Sequence, residues 1–399
     1  MGTTLYLHSM NQGQYVFSQI MAFVSHNDFA SCVNRYDGNY KTKEFSCWKQ
    51  FLCMAFGQLT HRESLSDTLL CLKLNNDKLY HLGIGKAVNK STLSRANERR
   101  DWQIFRDFAL LLIHQARQLY GKSSRLEVAI KSNVFALDAT VIDLCLGVYS
   151  WAKFRKTKAA IKLHTQLDLK NSIPCFVQFT NGNVHDVNVL DLLDFEVDGF
   201  YIMDRGYTDF ERLYRITLAN AFFVIRAKRN LQFIRVYSSA CEKTSGVLCD
   251  QVIRLKNFYP AEEYPKKLRR VKFYDVVTNK TLVFLTNNFD LKATDIAQLY
   301  KHRWQIELFF KWIKQHLKIK SFWGSSPNAV KTQVWIAIAM YVIVAIVKKK
   351  LDLSQSMYEI LQILSTNIFD KMPVDQLFQE DRLQYFKDQN CNQLNFFDL

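Results

Sequence analysis

Three carboxylates stand out because of what surrounds them. Asp138 is centred in the apolar run Phe135-Ala136-Leu137-Asp138-Ala139-Thr140-Val141-Ile142, and Asp204 closes another, Phe200-Tyr201-Ile202-Met203. An ionised carboxylate that leaves water must be paired or must coordinate a metal. Aspartates at strand ends also cap the turn that follows, so neither residue decides the matter alone. Glu307 adds more. It lies in Asp295–Lys320, a segment expected to form one long helix. At about 100° per residue Tyr300, Arg303, Glu307 and Lys314 share an arc of roughly 60°, with Lys311 just beside it. Most of the remaining circumference is Trp304, Ile306, Leu308, Phe309, Phe310, Trp312, Ile313 and Leu317, so the helix is expected to be buried almost all round except for one polar stripe. A solvated face would be wider and mixed in sign. One glutamate among basic residues in a dry wall reads as a metal ligand ringed by phosphate contacts. The alternative that survives is a salt-bridge ladder supporting the helix.

Two aspartates on neighbouring strands and a helical glutamate could hold two Mg²⁺ ions about 3.5–4 Å apart, with Mn²⁺ able to substitute. One ion would activate an attacking water or 3′-hydroxyl and the other would stabilise the leaving oxygen. Hard oxygen ligands suit that chemistry, and no His/Cys cluster competes. Arg303 and Lys314 offer a planar fork and a point charge for phosphate, and neither can ligate Mg²⁺. They are expected to position a DNA end, and their loss is expected to leave metal binding by the free protein little changed.

The whole chain carries the matching charge. Its 53 Lys+Arg against 37 Asp+Glu leave a net +16, a field that small neutral metabolites do not require. A phosphate-bearing partner does, because neutralising phosphates releases condensed counterions. At 399 residues with 48% hydrophobic and 14% aromatic side chains, the chain suits two or three packed domains and excludes global disorder. Nine cysteines, none in C-x-x-C spacing, argue against a disulfide framework or zinc module and fit a reducing cytoplasm. The N-terminus has no basic segment followed by an apolar one, so no secretory signal is expected. The apolar run Val334–Val347 is shorter than the roughly 20 residues that span a bilayer and is read as a core helix.

Helical spacing of apolar residues recurs in Tyr15–Phe23, Phe45–Leu59, Leu65–Leu74 and Trp102–Tyr120. Asn89–Ala96 offers a serine or threonine cap opening a basic helix, Arg95–Arg100, which could serve as the second helix of a helix-turn-helix or simply as a solvated helix. From about residue 126 the texture changes to strands: Asn133–Leu146, Ala159–Leu169, Ile173–Thr180, then helix and strand alternating to Ile225. That order predicts a mixed sheet flanked by helices, in the α/β class. Residues 227–292 read as a β-rich insertion, and the remainder as helical to about 388.

The spacing Tyr300-x2-Arg303-x3-Glu307-x6-Lys314 resembles the YREK signature of DDE transposases of bacterial insertion sequences, of insertion-sequence family 4. Leu137-Asp138-Ala139-Thr140, Asn181-Gly182-Asn183-Val184-His185-Asp186 and Asp204-Arg205-Gly206-Tyr207 reinforce it. The resemblance covers about residues 125–345. It implies an RNase H-like core (126–226 and 293–345) interrupted by the insertion (227–292), preceded by a helical DNA-binding domain (1–125) and followed by a helical C-terminal region (346–399). It further implies cut-and-paste transposition with Mg²⁺, by a homodimer acting on two inverted terminal repeats and a target DNA. Asp138, Asp204 and Glu307 would then be catalytic metal ligands. Tyr300, Arg303 and Lys314 would contact DNA phosphate, with Lys311, Arg226, Lys228 and Arg95 as further DNA-binding candidates. Some relatives make a hairpin at the transposon end and hold a flipped base on a tryptophan of the insertion. Here no tryptophan lies between Asp204 and Tyr300, and Phe258, Tyr259, Tyr264, Phe273 and Tyr274 are the alternatives.

His185-Asp186 reads as a helix start in preference to support for the site. Ala152–Lys158 could touch phosphate or be an exposed loop, while Arg229 joins Arg226 and Lys228 beside a strand end. Two other functions share much of this sequence: a transposase relative that binds DNA without catalysis, and a metal-dependent nuclease that only hydrolyses. The complete set of carboxylates argues against the first, and strand joining in vitro separates the second.

Overall fold

The computed structural model describes residues 13–121, 128, 130–155, 158–316 and 322–379. Leu317 to Lys320, Lys156 and Thr157, and the stretch from 380 to 388 for which helix was expected, lie outside these residues. The chain divides into two compact units, one of residues 121–311 and one of residues 1–120 with 312–399.

The first unit is built on a ten-stranded sheet. Its strands are β1 (Val134–Leu144), β2 (Lys153–Arg155), β3 (Lys158–Asp168), β4 (Ile173–Asn181), β5 (Phe200–Met203), β6 (Phe222–Arg226), β7 (Phe233–Ser239), β8 (Val247–Leu255), β9 (Leu268–Asp275) and β10 (Lys280–Thr286). β1 pairs antiparallel with β3 and parallel with β5, and β5 pairs parallel with β6. This is the mixed sheet that the strand order led one to expect, in the RNase H-like form that the resemblance implied. β5 and β6 are short, uninterrupted apolar runs because helices or loops cover both faces there. Phe135, Leu137, Tyr201, Met203, Phe223 and Ile225 form a core on one face with Leu213 and Ile216 of the helix Phe210–Leu218. The insertion does not stand apart: β10 pairs antiparallel with β6, so β10, β9, β8 and β7 continue the same sheet.

Among the described residues, the second unit holds six α-helices before residue 121: α1 (Val16–Met21), α2 (His26–Arg35), α3 (Cys47–Leu59), α4 (Leu65–Leu74), α5 (Lys90–Arg99) and α6 (Gln103–Tyr120). Its centre is a helix from the other end of the chain, Pro327–Lys350, buried continuously from Thr332 to Val347. Ser326 caps it and Pro327 opens it, where a missing N–H costs nothing. It packs against α3, α5 and α6, and the Tyr120 hydroxyl donates to the Ala345 carbonyl at 2.9 Å. This helix is long and apolar enough to cross a membrane, but it is a core helix here. The contact division therefore falls at 311/312, whereas the core had been expected to run on to 345.

α5 corrects two details. It opens at Lys90 behind Asn89, with no side-chain cap, so neither the serine nor the threonine starts it. Residues 75–89 separate it from α4, far more than the three or four residues of a helix-turn-helix turn.

Candidate active site

Leu137 of β1, Met203 of β5 and Ile225 of β6 stand in register across parallel strands and point into the core. The pleat alternates, so the next residues, Asp138, Asp204 and Arg226, form a row on the opposite face. That face carries two helices, Ala293–His302 and Trp304–His316 (α7 being Phe210–Leu218, α8 the short helix Phe258–Glu263, these two are α9 and α10). Tyr300 of α9 packs its ring on Phe284 of β10, centroids 4.8 Å apart. The single expected helix is thus two, broken at Arg303.

Arg303 sits at the break and draws the site together. Its Nη1 donates to Asp138 Oδ2 at 3.0 Å and its Nη2 to Glu307 Oε1 at 2.5 Å. The guanidinium lies over the Tyr300 ring, 5.6 Å from its centroid. One cation thereby joins a strand carboxylate to a helix carboxylate. Tyr300 supports Arg303 from below, and its phenol is pushed up chiefly by burial. Arg303, expected to position DNA and not to hold metal, is hydrogen-bonded to two of the three carboxylates, which is the ion pairing that the salt-bridge alternative called for.

Asp138 Oδ1 accepts from the Ala139 N–H at 2.8 Å. Burial pushes the Asp138 carboxyl up to about 6, while that N–H and Arg303 hold it down and Asp204 and Glu307 raise it further. Asp204 Oδ1 accepts from the Gly206 N–H at 2.7 Å, capping the short 3₁₀ turn Arg205–Tyr207. A Cβ on Gly206 would stand 2.9 Å from that oxygen, which accounts for the glycine in the Asp-Arg-Gly-Tyr run. Behind the row, the buried Tyr207 hydroxyl has no hydrogen-bond partner among the described residues, and burial pushes it far up, so it stays protonated. Tyr207 had no place among the expected site residues; an aromatic closing the turn that follows β5 is the signal for it.

The donor set suits a hard divalent cation. Every candidate ligand is a carboxylate, and the half-buried cluster already demands positive charge, which Arg303 supplies from within the chain. Among the described residues no three His, Cys, Asp or Glu side chains close on one point, so a metal held here requires the guanidinium to give up at least one partner.

The other expected residues are distributed as follows. Lys311 is exposed on α10 and Lys314 is half-buried further along it. Lys228 is exposed and donates to the Thr208 carbonyl at 3.3 Å. Arg95 is exposed on α5, its Nε donating to the Ser91 carbonyl at 3.2 Å, in the other unit. Trp304 and Leu308, expected to be buried, are 59% and 48% exposed, since with Lys311 they form the open side of α10. Of the aromatics in the insertion, Tyr264 is core and shares a hydrogen bond with Thr217, whereas Phe258 and Tyr259 are exposed. Asp186 accepts from Lys162 Nζ at 3.0 Å, and His185 stands at the start of the 3₁₀ helix Asp186–Leu192, as read from the sequence.

Comparison with known proteins agrees with this layout. Residues 130–343 match the family described as Transposase DDE domain, and residues 12–85 match a domain of unknown function, DUF4372. A protein of Sinorhizobium fredii described as transposase y4zB is 31% identical over 71% of this chain and 78% of its own length. A transposase described for insertion sequence element IS5377 of Geobacillus stearothermophilus is 27% identical, over 63% of this chain and 66% of its own length. A cryo-EM structure of a piggyBac transposase synaptic complex with hairpin DNA aligns with 12% identity and TM-score 0.45, covering 97% of this chain and 87% of that one, a likeness too slight to argue from. The family match spans more than half the chain and contains the three carboxylates, the Arg303 bridge and the sheet that carries them: the chain belongs to the DDE transposases, of the insertion-sequence family 4 type.

Proposed function

We propose that this DNA transposase cuts and joins strands at the inverted terminal repeats of its insertion sequence by a cut-and-paste route, as a homodimer in the bacterial cytoplasm. Asp138, Asp204 and Glu307 would hold Mg²⁺ and act as the catalytic carboxylates. The observation that carries this reading is that Asp138 and Asp204 directly follow Leu137 and Met203, the last in-register pair of adjacent parallel strands, with Glu307 tied to Asp138 through Arg303. Two Mg²⁺ ions, when bound, supply activation of the attacking oxygen and stabilisation of the leaving one. The residues around them do the positioning. Gly206 fixes the Asp204 carboxylate, Tyr300 orients Arg303, and Arg303 turns its fork from the carboxylates to a scissile phosphate once DNA is present. Lys314, Lys311, Arg226 and Lys228 would hold neighbouring phosphates, and Arg95 of α5 would contribute to end binding.

Nicking and gel shift should be measured in parallel, in Mg²⁺ and Mn²⁺, on DNA carrying the element's ends. Asp138→Asn, Asp204→Asn and Glu307→Gln are each expected to cut nicking by at least roughly a hundredfold while DNA binding persists, because each removes a ligand of the charge that develops. Substantial nicking in any one of them would remove that residue from the site.

A further inference from the structure

Where β6 ends, a cavity of about 330 Å³ is lined by Arg205, Arg226, Lys228, Arg229, Arg270 and Lys272 with no acidic residue in its wall. It lies wholly within the sheet unit, and Arg205, which follows Asp204 directly, brings it to the edge of the candidate active site. On β9 the pleat puts Arg270 and Lys272 on one face. Their cross-strand partners are Gln251 and Cys249 on β8 and Leu285 and Val283 on β10. None can neutralise them. Arg270 is held by neutral groups, donating to Gln251 Oε1 at 2.9 Å and lying 5.0 Å from the centre of the Phe233 ring.

The neighbouring residue serves as an internal control. Arg269, on the other face of the same strand, is buried and forms a two-pronged pair with Asp250 at 2.9 and 2.7 Å. The fold therefore pairs the arginine it buries for structure. No ion pair among the described residues involves any of the six cations at the cavity. Like charges around one space repel, most strongly among the half-buried Arg226, Arg270 and Lys272, at a cost that an anion in the space removes. The volume is at the lower limit of small-ligand sites, enough for about one nucleotide unit and too little for a duplex.

We propose that this cavity seats the phosphodiester backbone of one DNA strand as it leaves the carboxylates on the Asp204 side. The proposal rests on the reading of the protein as a transposase acting on DNA. It assigns to the β-rich insertion, through Arg270 and Lys272, a grip on the substrate that its sequence did not single out.

The test uses the full-length protein with Arg270→Gln and Lys272→Gln combined, and as a control Lys256→Gln with Lys267→Gln, an equal charge loss at exposed positions of the insertion. Binding of a fluorescent DNA oligonucleotide is followed by anisotropy across a salt series. The pocket variant is expected to bind about tenfold more weakly at physiological salt and to lower the slope of log K against log salt by roughly 1.5, one phosphate contact per cation. Its melting temperature should not fall, because removing mutually repelling charges does not weaken the free protein. An unchanged slope, or an equal change in the control variant, overturns the pocket. So does a lower melting temperature with affinity per folded molecule preserved. A wild-type protein that binds no DNA would instead sink the functional reading itself.

Discussion

Arg303 ties together two carboxylates, Asp138, which lies 165 residues before it in the chain, and Glu307, a single helical turn after it. The i,i+4 half of that arrangement was readable in the sequence, since Arg303 and Glu307 share a helical face. The half reaching Asp138 was not, because it depends on which strand the helix crosses. A guanidinium and a divalent cation compete for the same oxygens. In DNA-free protein Arg303→Ala should therefore tighten Mn²⁺ binding by about tenfold, the equivalent of about 1.4 kcal/mol, as read by the loss of free-Mn²⁺ signal in electron paramagnetic resonance titrations. Equal or weaker binding would show that Arg303 supports the carboxylates without competing. Asp138 makes a second prediction. Its carboxyl is raised by burial to about 6 from the model-compound 3.8, so the folded state takes up its proton more readily than the unfolded one. The stability linked to this group is present in full below pH 4 and is lost as pH rises through 6. Asp138→Asn should accordingly raise the melting temperature at pH 7.5 and change it little at pH 4, which calorimetry at the two pH values would check.

At the scale of elements, long apolar periods were read correctly because their burial is local: Leu65–Leu74 and the strands β1 and β3 stand within a few residues of their expected limits. The break at Arg303 was not legible, since no Pro or Gly marks it. Nor was the exposure of Trp304 and Leu308, as composition does not say which side of a helix finds a neighbour. The Arg270-x-Lys272 alternation was present in the sequence as a one-face strand pattern, but its meaning depends on Gln251 and Cys249 lying opposite. Close packing also explains a glycine that helix propensity disfavours. Gly57 lies inside α3, where a Cβ would stand 2.5 Å from Trp323 Cη2 and 2.8 Å from Thr68 Oγ1. Although alanine is the better helix former by about 1 kcal/mol, Gly57→Ala should lower stability by about 1–3 kcal/mol, because neighbouring atoms must shift to admit the methyl. Urea unfolding of the two proteins measures the sign. A stabilised variant would mean that Trp323 and Thr68 yield freely.

At the scale of the molecule, residues from both ends of the chain form one unit, and this governs how its N-terminal helices can be studied. The sequence reads residues 1–125 as a separate domain, and such a fragment would ordinarily be the first to express. Yet α3, α5 and α6 bury their apolar faces against the helix Pro327–Lys350, and Asn328 donates to the carbonyls of Asn97 and Arg100 at 2.9 and 2.6 Å. Gln19 of α1 is likewise bonded to Met372 and Val374. Deleting residues 312–399 would strip the N-terminal helices of their central partner, exposing large buried side chains such as Phe56, which packs on Phe369, and Tyr120, which bonds to Ala345. Each such side chain is worth about 1.5–3 kcal/mol when buried, against a typical domain stability of about 5–15 kcal/mol. A fragment of residues 1–120 should therefore show helical far-ultraviolet dichroism without a cooperative thermal transition, and it should bind a dye specific for exposed apolar surface. Co-expression with residues 312–399 should restore the transition. If the fragment alone melts cooperatively and stays monomeric, the N-terminal helices carry a sufficient core of their own, and the long C-terminal helix is an addition to it.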